Sequence, residues 1–387
     1  CPTGTLGTRD TGGMSVYIRE IAVELGKRGF VIDIFTLAHD SHDGEVMLGE
    51  NVRLVHLKAG ENTETHKLVI YPYLPDFACD LENFRKNNNL HYHLIFSHYW
   101  LSGMTGGIAQ TWWHVPHMVM FHTLGAIKNM FRTGEDEPEL RIESEKELAQ
   151  TCDYVIASTE REKGELVDYC GAAPERIGVV PCGVNLELFR PAEKKIARMR
   201  LGLKADKIIL YVGRIEPLKG IDRLIRAMSL LKSSEARLLI IGGGEQSHGE
   251  MQRLDDLARE LNVDSSVTFM GVVQHPELSS YYNAANVCVL PSYHESFGLT
   301  ALEALACGTP VIATDVGALK DIIRQEETGY IIENSHQDLA EKIGLALTGE
   351  MNQASIRHSV MRFGWPNIAE QMDEKIRSLL SLLVIRP

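Results

Sequence analysis

Two glutamates, Glu295 and Glu303, are the side chains whose spacing says most about the chemistry of this chain. They lie in the stretch VLPSYHESFGLTALEALACGTP, residues 289–310, where an apolar strand ends at Pro291 and a short helix begins near Gly298. Glu295 falls on the loop and Glu303 on the second turn of the helix. Because open α/β sheets bind ligands at the carboxyl ends of their strands, both carboxylates are expected to face that crevice.

The start of this helix is also a natural seat for a phosphate. The N–H groups of residues 296–300 precede the first helical hydrogen bonds, and the helix dipole favours negative charge at that end. Carboxylates that bind hydroxyls, beside amides that bind phosphate, suit a sugar nucleotide. The candidate donor-binding residues on this stretch are Glu295, Phe297, Gly298, Leu299, Thr300 and Glu303.

Two cations follow the end of another predicted strand. The run KIILYVGRIEPLKG, residues 207–220, carries Arg214 and Lys219 on one loop after the strand. Two such cations in a cleft can clamp a diphosphate and neutralise it as it leaves. The alternative is a pair of solvated surface charges, but the glutamate loop in the same half of the chain favours the clamp. Val272, after the strand VTFMG, either offers its backbone to a nucleobase or simply ends the strand.

The first half of the chain offers glycines and histidines at comparable positions. Gly12 and Gly13 precede a predicted helix, where a backbone without side chains can approach a phosphate closely. His98 and His122 each end an apolar strand. A metal cluster of these and neighbouring histidines is disfavoured, because the spacings straddle strands and Pro116 and no cysteine accompanies them. The sequence therefore assigns no metal ligands.

Short β-branched runs alternate with amphipathic helical stretches, which predicts parallel sheets covered by helices on both faces. The 387 residues are too many for one ordinary core. We predict an α/β chain with two Rossmann-like, doubly wound parallel-sheet domains that face a cleft. Residues 1–190 would form the first domain, 191–365 the second, and 366–387 a terminal helix that crosses back to the first. The loop-like opening at Cys1 has no initiator methionine, which predicts a preceding strand.

Composition is typical of soluble globular enzymes. The chain is 44% hydrophobic and 24% charged, and its net charge of −13 disfavours nucleic-acid partners. Seven scattered cysteines, no signal peptide and no apolar run of about 20 residues predict a cytoplasmic protein without a transmembrane segment. A homodimer is left open. The acidic run at 134–147 is typical of a solvated helix start, with Arg141 as the exception.

In combination these segments resemble the retaining family 4 glycosyltransferases of the GT-B fold, along essentially the whole chain. The motifs stand in the order of that family: GTRDTGGMSVYIRE, SHYWLSG, FHTL, ASTEREKGELV, RIGVVPCGVNLELFRP, VGRIEPLKG, PSYHESFGLTALEALACGTPVIATDVGALKDII and a terminal GW. The spacing of Glu295 and Glu303 is the family's best-known signature. The motifs of the first half look like the branch that holds sucrose-phosphate synthases and the inositol-phosphate N-acetylglucosaminyltransferase of mycothiol synthesis.

The resemblance implies roles for the residues around the donor. His122 would contact the donor sugar, with its carbonyl near the anomeric carbon. Arg214 and Lys219 would hold the diphosphate. Glu295 would bind hydroxyls of the sugar and Glu303 those of the ribose. Members of the family retain the anomeric configuration, and the resemblance implies front-face attack with the leaving phosphate as base. Neither a cofactor nor an essential divalent metal is implied.

The resemblance also implies an acceptor site. Gly13 would touch the donor phosphate through its backbone, and the phosphate of an acceptor would be held by matching residues: Lys67, Tyr99, Thr123 and Arg141. Ser15 stands where the inositol-phosphate branch has asparagine. The implied activity is transfer of glucose or N-acetylglucosamine from a nucleotide diphosphate sugar, UDP-linked, to inositol phosphate or a sugar phosphate. The alternatives are a GT-B nucleotide-sugar epimerase and a non-catalytic two-domain sugar-binding protein.

Overall fold

The computed structural model describes residues 12–38, 44–58, 67–131, 136–231, 235–244, 247–333 and 335–384, without the side chains of residues 67 and 382–384. The opening segment, residues 1–11, therefore lies outside the description, as does the strand predicted to precede it. Thirteen strands run through the described residues: β1 Ile32–Leu37, β2 Glu45–Gly49, β3 Val52–Leu57, β4 Ile95–His98, β5 His117–Met120, β6 Tyr154–Ala157, β7 Ile177–Val179, β8 Lys207–Val212, β9 Ala236–Ile241, β10 Val267–Gly271, β11 Val287–Leu290, β12 Val311–Thr314 and β13 Gly329–Ile332.

Helices connect most of these strands. They are α1 Gly13–Lys27, α2 Lys67–Ile70, α3 Leu74–Asn87, α4 Trp100–Trp113, α5 Gly125–Met130, α6 Glu139–Thr151, α7 Glu160–Cys170, α8 Lys194–Arg200, α9 Ile221–Leu230, α10 His248–Glu260, α11 Leu278–Ala284, α12 Leu299–Ala306, α13 Leu319–Ile322, α14 His336–Thr348, α15 Gln353–Val360 and α16 Trp365–Val384. Within the described ranges, no helix is both long enough and apolar enough to cross a bilayer. The alternation of strands and helices confirms the predicted α/β class.

The strands of the first half form two sheets. β4, β5, β6 and β7 pair in that order in parallel, and β1 pairs in parallel with β3. β2 joins β3 in the antiparallel direction, which the sequence did not predict. Its sequence EVMLG lies on a sheet edge, with Val46 42% and Met47 64% exposed. It therefore lacks the continuous apolar run by which buried parallel strands are recognised.

Six parallel strands form the sheet of the second half, in the order β10-β9-β8-β11-β12-β13. From β8 the chain builds outward through β9 to β10, and it then returns past β8 to add β11, β12 and β13 on the other side. The strand order therefore reverses between β8 and β11, which is where open α/β sheets bind ligands. The loops after these two strands carry Arg214, Lys219 and Glu295. The predicted doubly wound sheet is confirmed.

Helix α12 packs on the strands at this reversal point. β11 and β12 are buried at every residue, and so is α12 from Ala301 to Ala306. Complete burial explains why the sequence shows continuous apolar runs here. Glu303 is thus a carboxylate in an otherwise apolar, buried helix, and burying such a group is costly unless partners hold it.

The terminal helix α16 packs against α1. The Trp365 ring meets the Tyr17 ring edge-on, with centroids 5.6 Å apart. Gly183 leaves room for the indole, because a Cβ at this position would lie 2.5 Å from the ring. Two segments run between the halves of the chain, residues 184–190 and residues 361–365. They pair with each other, since the N–H of Val184 donates to the carbonyl of Phe363 at 2.8 Å.

The guanidinium of Arg357 connects the segment at residues 184–190 to the end of α12. Arg357 on α15 donates from Nη1 to the carbonyls of Phe189 at 2.8 Å and Ala306 at 2.6 Å, and from Nη2 to the carbonyl of Leu186 at 2.9 Å. Ala306 is the last residue of α12. The segment between the two halves and the end of the glutamate-bearing helix are therefore held by the same cation.

We expect Arg357→Met to destabilise the protein. The substitution leaves three carbonyls without their donor, at a cost of about 2–4 kcal/mol in total, which lowers Tm by roughly 5 °C or more for domains of this size. Thermal unfolding followed by circular dichroism measures the change. Arg226→Met, on the exposed face of α9, is the matched control and should leave Tm unchanged; equal effects of the two variants would contradict the assignment.

Candidate functional site

The loops that follow β8 and β11 are docked against each other through their backbones. The N–H of Tyr293 donates to the carbonyl of Leu218 at 2.8 Å. Gly220 has φ +65°, and a Cβ on it would lie 2.1 Å from the carbonyl oxygen of Pro291. Only glycine fits there, because a side chain would push the loops apart. Side chains on the two loops are therefore held at fixed positions relative to each other.

This docking brings a cation and a carboxylate together. Lys219 Nζ lies 2.8 Å from Glu295 Oε2, with side chains 13% and 23% exposed. Burial raises the pKa of the Glu295 carboxyl, but the charge and hydrogen bond of Lys219 outweigh burial, and the pKa is lowered. Arg214 lies on the same loop and pairs with Glu216 at 2.9 Å, while its backbone carbonyl accepts from the Tyr211 hydroxyl at 2.8 Å. Arg214 and Lys219 thus leave the same strand end, as predicted.

Glu303 is held by two side chains that the sequence interpretation missed. His275 Nε2 lies 2.7 Å from Glu303 Oε1, and the Tyr282 hydroxyl donates to Oε2 at 2.7 Å. Burial lowers the pKa of His275, but Glu303 outweighs burial and the pKa is raised. The Phe189 ring packs edge-on against both partners, at 5.2 and 5.8 Å. A histidine directly after β10 was the signal available in the sequence.

The other predicted donor residues surround the start of α12. Gly298 precedes the helix with φ +97°, and a Cβ on it would lie 2.5 Å from Leu319. Phe297 is buried, and Thr300 Oγ1 donates to the carbonyl of Val212 at 3.4 Å. Leu299 reaches across to the first half of the chain, because a Cβ on Gly13 would lie 3.1 Å from its side chain. Val272 lies partly exposed after β10.

The two histidines at the strand ends form a neutral pair. His98 Nδ1 and His122 Nε2 lie 3.0 Å apart, so one ring donates and the other accepts. Burial lowers the pKa of His122 to about 3, and burial and then His122 lower the pKa of His98. Tyr17 packs edge-on against both rings, at 5.8 and 5.4 Å. No group of three or more metal-ligating side chains occurs in the described part of the chain.

Three predicted acceptor residues meet around one arginine. Arg141 donates from Nη2 to the carbonyl and Oγ1 of Thr123, at 2.8 and 2.9 Å, and its guanidinium lies 4.9 Å from the centre of the Tyr99 ring. It also pairs with Glu137 at 2.8 Å and Glu145 at 2.6 Å. The predicted solvated helix start is wrong on one face of α6, where Glu145 is 1% exposed beside Arg141, the residue that the sequence set apart as the exception.

The remaining acceptor candidates are less informative. Ser15 is 3% exposed in the first turn of α1. Lys67 begins α2, but its side chain lies outside the described atoms. The structure therefore brings together Tyr99, Thr123 and Arg141, and it gives no contact of Ser15 or Lys67 with them.

One pocket is lined by residues from both halves of the chain. His122 and Thr123 line it from the first half, and Glu295 and Ser296 line it from the second. The cap and first two turns of α7, which the sequence interpretation left without a role, add four further lining residues: Thr159, Arg161, Glu162 and Glu165. The pocket therefore has walls from both halves of the chain, with His122 of the histidine pair on one side and Glu295 of the ion pair on the other.

Two family models cover most of the chain. The model described as Glycosyltransferase Family 4 matches residues 11–188, and the model described as Glycosyl transferases group 1 matches residues 193–360. A D-inositol 3-phosphate glycosyltransferase of Mycobacteroides abscessus is 37% identical, across 96% of this chain and 85% of its own length. The chain belongs to the family 4 glycosyltransferases. A second protein of the same name, from Thermobispora bispora, is 36% identical across 96% of this chain and 91% of its own.

Solved structures support the same family and the GT-B fold. A sucrose-phosphate synthase from Thermosynechococcus elongatus superposes with a TM-score of 0.88 at 33% identity, covering 98% of this chain and 97% of its own. The Anabaena protein HepE, solved in complex with UDP and glucose, superposes with a TM-score of 0.78 at 18% identity, covering 97% and 98%. At that identity HepE supports the fold alone. The predicted GT-B fold and the predicted membership of the family 4 glycosyltransferases are both confirmed.

Replacing Lys219 by methionine removes the cation that lowers the pKa of Glu295. A carboxyl with a lowered pKa stabilises the folded state above its unfolded pKa, about 4.3 for glutamate, and that contribution is lost as the pH falls through the folded value. We therefore expect Lys219→Met to lower Tm by a few degrees at pH 7, and the difference from wild type to shrink below about pH 4.

Thermal unfolding between pH 3.5 and 8 measures that difference. Lys320→Met is the matched control, because Lys320 pairs with Asp315 at 3.1 Å but is 68% exposed and such pairs contribute little. The assignment of a stabilising ion pair to Lys219 and Glu295 would be contradicted by either of two results. One is a difference in Tm between Lys219→Met and wild type that stays constant across this pH range, and the other is an equally large difference for Lys320→Met.

Proposed function

We propose that this protein is a retaining hexosyltransferase that moves glucose or N-acetylglucosamine from UDP to a small phosphorylated acceptor, an inositol phosphate or a sugar phosphate. The Lys219–Glu295 pair carries the proposal, because it sets a cation beside a carboxylate at the reversal point of a doubly wound sheet. The names of the inositol-phosphate and sucrose-phosphate relatives support the acceptor class. The UDP and glucose of the HepE complex support the donor class.

On the donor side, Arg214 and Lys219 bind the diphosphate and Glu295 binds hydroxyls of the sugar. Glu303 binds the ribose hydroxyls. Each oxygen of a carboxylate can accept two hydrogen bonds, and His275 and Tyr282 take one position on each. The remaining positions are the ones a ribose diol would use, so the two partners orient the carboxylate without blocking it.

In the proposed reaction the bond between the anomeric carbon and the leaving phosphate oxygen breaks. The acceptor oxygen bonds to the same face of that carbon, and its proton passes to the leaving phosphate. Arg214 and Lys219 stabilise the negative charge of the UDP that forms, so a divalent metal is not required. His122 contacts the sugar as a neutral ring, in line with its pKa of about 3, and Gly13 contacts the phosphate through its backbone.

On the acceptor side, Arg141, Thr123 and Tyr99 hold the phosphate, with Ser15 and Lys67 as further contacts. Burial alone would raise the pKa of Glu137, but Arg141 and Lys128 lower it to about 2. Glu137 is therefore an anion bound by two cations. An acceptor phosphate carries the same kind of charge and exchanges with Glu137 for Arg141 Nη1 and Lys128.

We expect Lys219→Met and Glu303→Gln to lose activity while the fold is kept. Loss of the diphosphate cation should reduce kcat/KM for the UDP-sugar at least about 100-fold, and loss of the ribose carboxylate about 10–100-fold. UDP release is assayed with EDTA present, and circular dichroism checks the fold. Glu277→Gln, an exposed neighbour of His275, is the control and should keep wild-type turnover.

Several outcomes would defeat the proposed reaction. Near wild-type turnover of either variant would remove these residues from the site. Loss of wild-type activity in EDTA would overturn metal independence. Isomerisation of a UDP-sugar without acceptor would instead support the epimerase, and tight binding of a free sugar without nucleotide would support the non-catalytic binding protein.

We expect Arg141→Gln to abolish the preference for a phosphorylated acceptor. Wild type should use inositol phosphate at least about 100-fold better than inositol, because charge-assisted hydrogen bonds to phosphate are roughly twice as strong as neutral ones. The variant should bring the two acceptors within about threefold. Acceptor KM and kcat, with the donor saturating, measure the ratio; wild type that uses both acceptors equally would contradict the phosphorylated acceptor class.

A further inference from the structure

Glu162 lies at the first turn of α7 in an altered capping arrangement. Thr159 caps the helix, and its Oγ1 accepts from the Glu162 N–H at 2.9 Å. In a capping box the glutamate side chain returns to the backbone of the cap residue itself. Here Glu162 Oε2 instead accepts from the N–H and the hydroxyl of Ser158, at 2.6 and 2.5 Å. One oxygen of the Glu162 carboxyl is thus bound by Ser158, the residue that precedes the cap.

Glu162 also lines the pocket, and its other oxygen has no partner among the described residues. The side chain is buried, with 8% of the residue exposed, yet it lines the same pocket as His122, Thr123 and Glu295. Among the described residues, Oε1 has no hydrogen-bond partner, and it is also absent from the fully buried polar atoms without one. An unpaired oxygen on a residue that lines a pocket is available to a ligand there.

A second polar group near Glu162 also lacks a partner. The Tyr17 residue is 1% exposed, and its hydroxyl has no hydrogen bond among the described atoms. Burial raises the pKa of Tyr17, and the charges of Cys182 and Glu162 raise it further. Buried polar groups are normally paired. The Tyr17 hydroxyl is enclosed and does not line the pocket, whereas Glu162 does, so Glu162 is the group that a hydroxyl-bearing ligand or water in the pocket would pair with.

Of the three carboxyls that line the pocket, Glu162, Glu165 and Glu295, the first and the last are in opposite environments. Burial raises the pKa of Glu162, and the hydrogen bonds from Ser158 only partly oppose that rise. Lys219 lowers the pKa of Glu295. Two carboxyls whose environments separate their pKa values in this way normally have different roles. Glu295 remains an anion beside its cation, whereas Glu162 accepts hydrogen bonds when ionised and donates one when protonated.

We propose that Glu162 is an acceptor-binding residue, whose free oxygen exchanges a hydrogen bond with a hydroxyl of the polyol that receives the sugar. This rests on the proposed function. The acceptor is the better partner because Glu162 shares the first-half wall with Thr123. His122, the proposed contact of the transferred sugar, lies on that wall too, but the other donor groups in the lining, Glu295 and Ser296, come from the second half. Thr123 and Arg141 would hold the acceptor phosphate, and Glu162 its ring hydroxyls. The alternative is that Glu162 only caps α7.

The test is Glu162→Gln, which keeps the size of the side chain and an oxygen for Ser158. We expect kcat/KM for inositol phosphate to fall about 10–100-fold, the usual effect of losing a hydrogen bond to a charged group. The KM for the UDP-sugar and the affinity for UDP alone, measured by calorimetry, should change less than twofold, with Tm within about 2 °C. Glu160→Gln, an exposed neighbour in the same turn, is the matched control and should behave as wild type.

Monodeoxy analogues of the acceptor sharpen the test. In wild type, removal of the hydroxyl that meets Glu162 should raise the acceptor KM, and that penalty should shrink in Glu162→Gln. Unchanged acceptor kinetics with a lowered Tm would show that Glu162 only caps the helix, and a raised donor KM would move it to the donor; both overturn the proposal. Failure of the transferase itself is distinguishable, because wild type and Glu160→Gln would then release no UDP.

Discussion

The contact between the loops after β8 and β11 is the constraint on which the rest of the site depends. A backbone hydrogen bond from Tyr293 to Leu218 and the lack of space for a side chain at Gly220 fix the two loops at contact distance. The chain order of the sheet puts those two loops side by side, since the strand order reverses between β8 and β11. Lys219 and Glu295 meet as a consequence of backbone geometry, and their ion pair needs no further adjustment.

Side chains of the protein already bind the carboxylates of this site in the absence of a ligand. Glu295 has Lys219, Glu303 has His275 and Tyr282, and Glu162 has Ser158. Each partner restrains a side chain that would otherwise sample several rotamers, and such restraint lowers the entropy cost of binding.

Periodicity and local motifs in the sequence were enough to predict the parallel sheets and part of the site. The apolar runs identified the parallel strands, and the glutamate spacing located the loop and helix that carry Glu295 and Glu303. The edge strand β2 was not predicted, because its first three residues are exposed and the strand shows no continuous apolar run. His275 and Tyr282 were not predicted, because their contact with Glu303 spans more than 20 residues of chain. The burial of Glu145 beside Arg141 was not predicted, because a run rich in charge conceals one buried face of α6.

Helix α16 has a consequence for how the chain is made. Its Trp365 packs on Tyr17 of α1, so two helices separated by most of the chain share one apolar core. The six strands of the second sheet, by contrast, leave the ribosome as one continuous stretch. Those strands can pair as they emerge, whereas the side of Tyr17 that meets Trp365 stays uncovered until α16 emerges. The order of synthesis therefore makes the packing of α1 one of the last contacts to be completed.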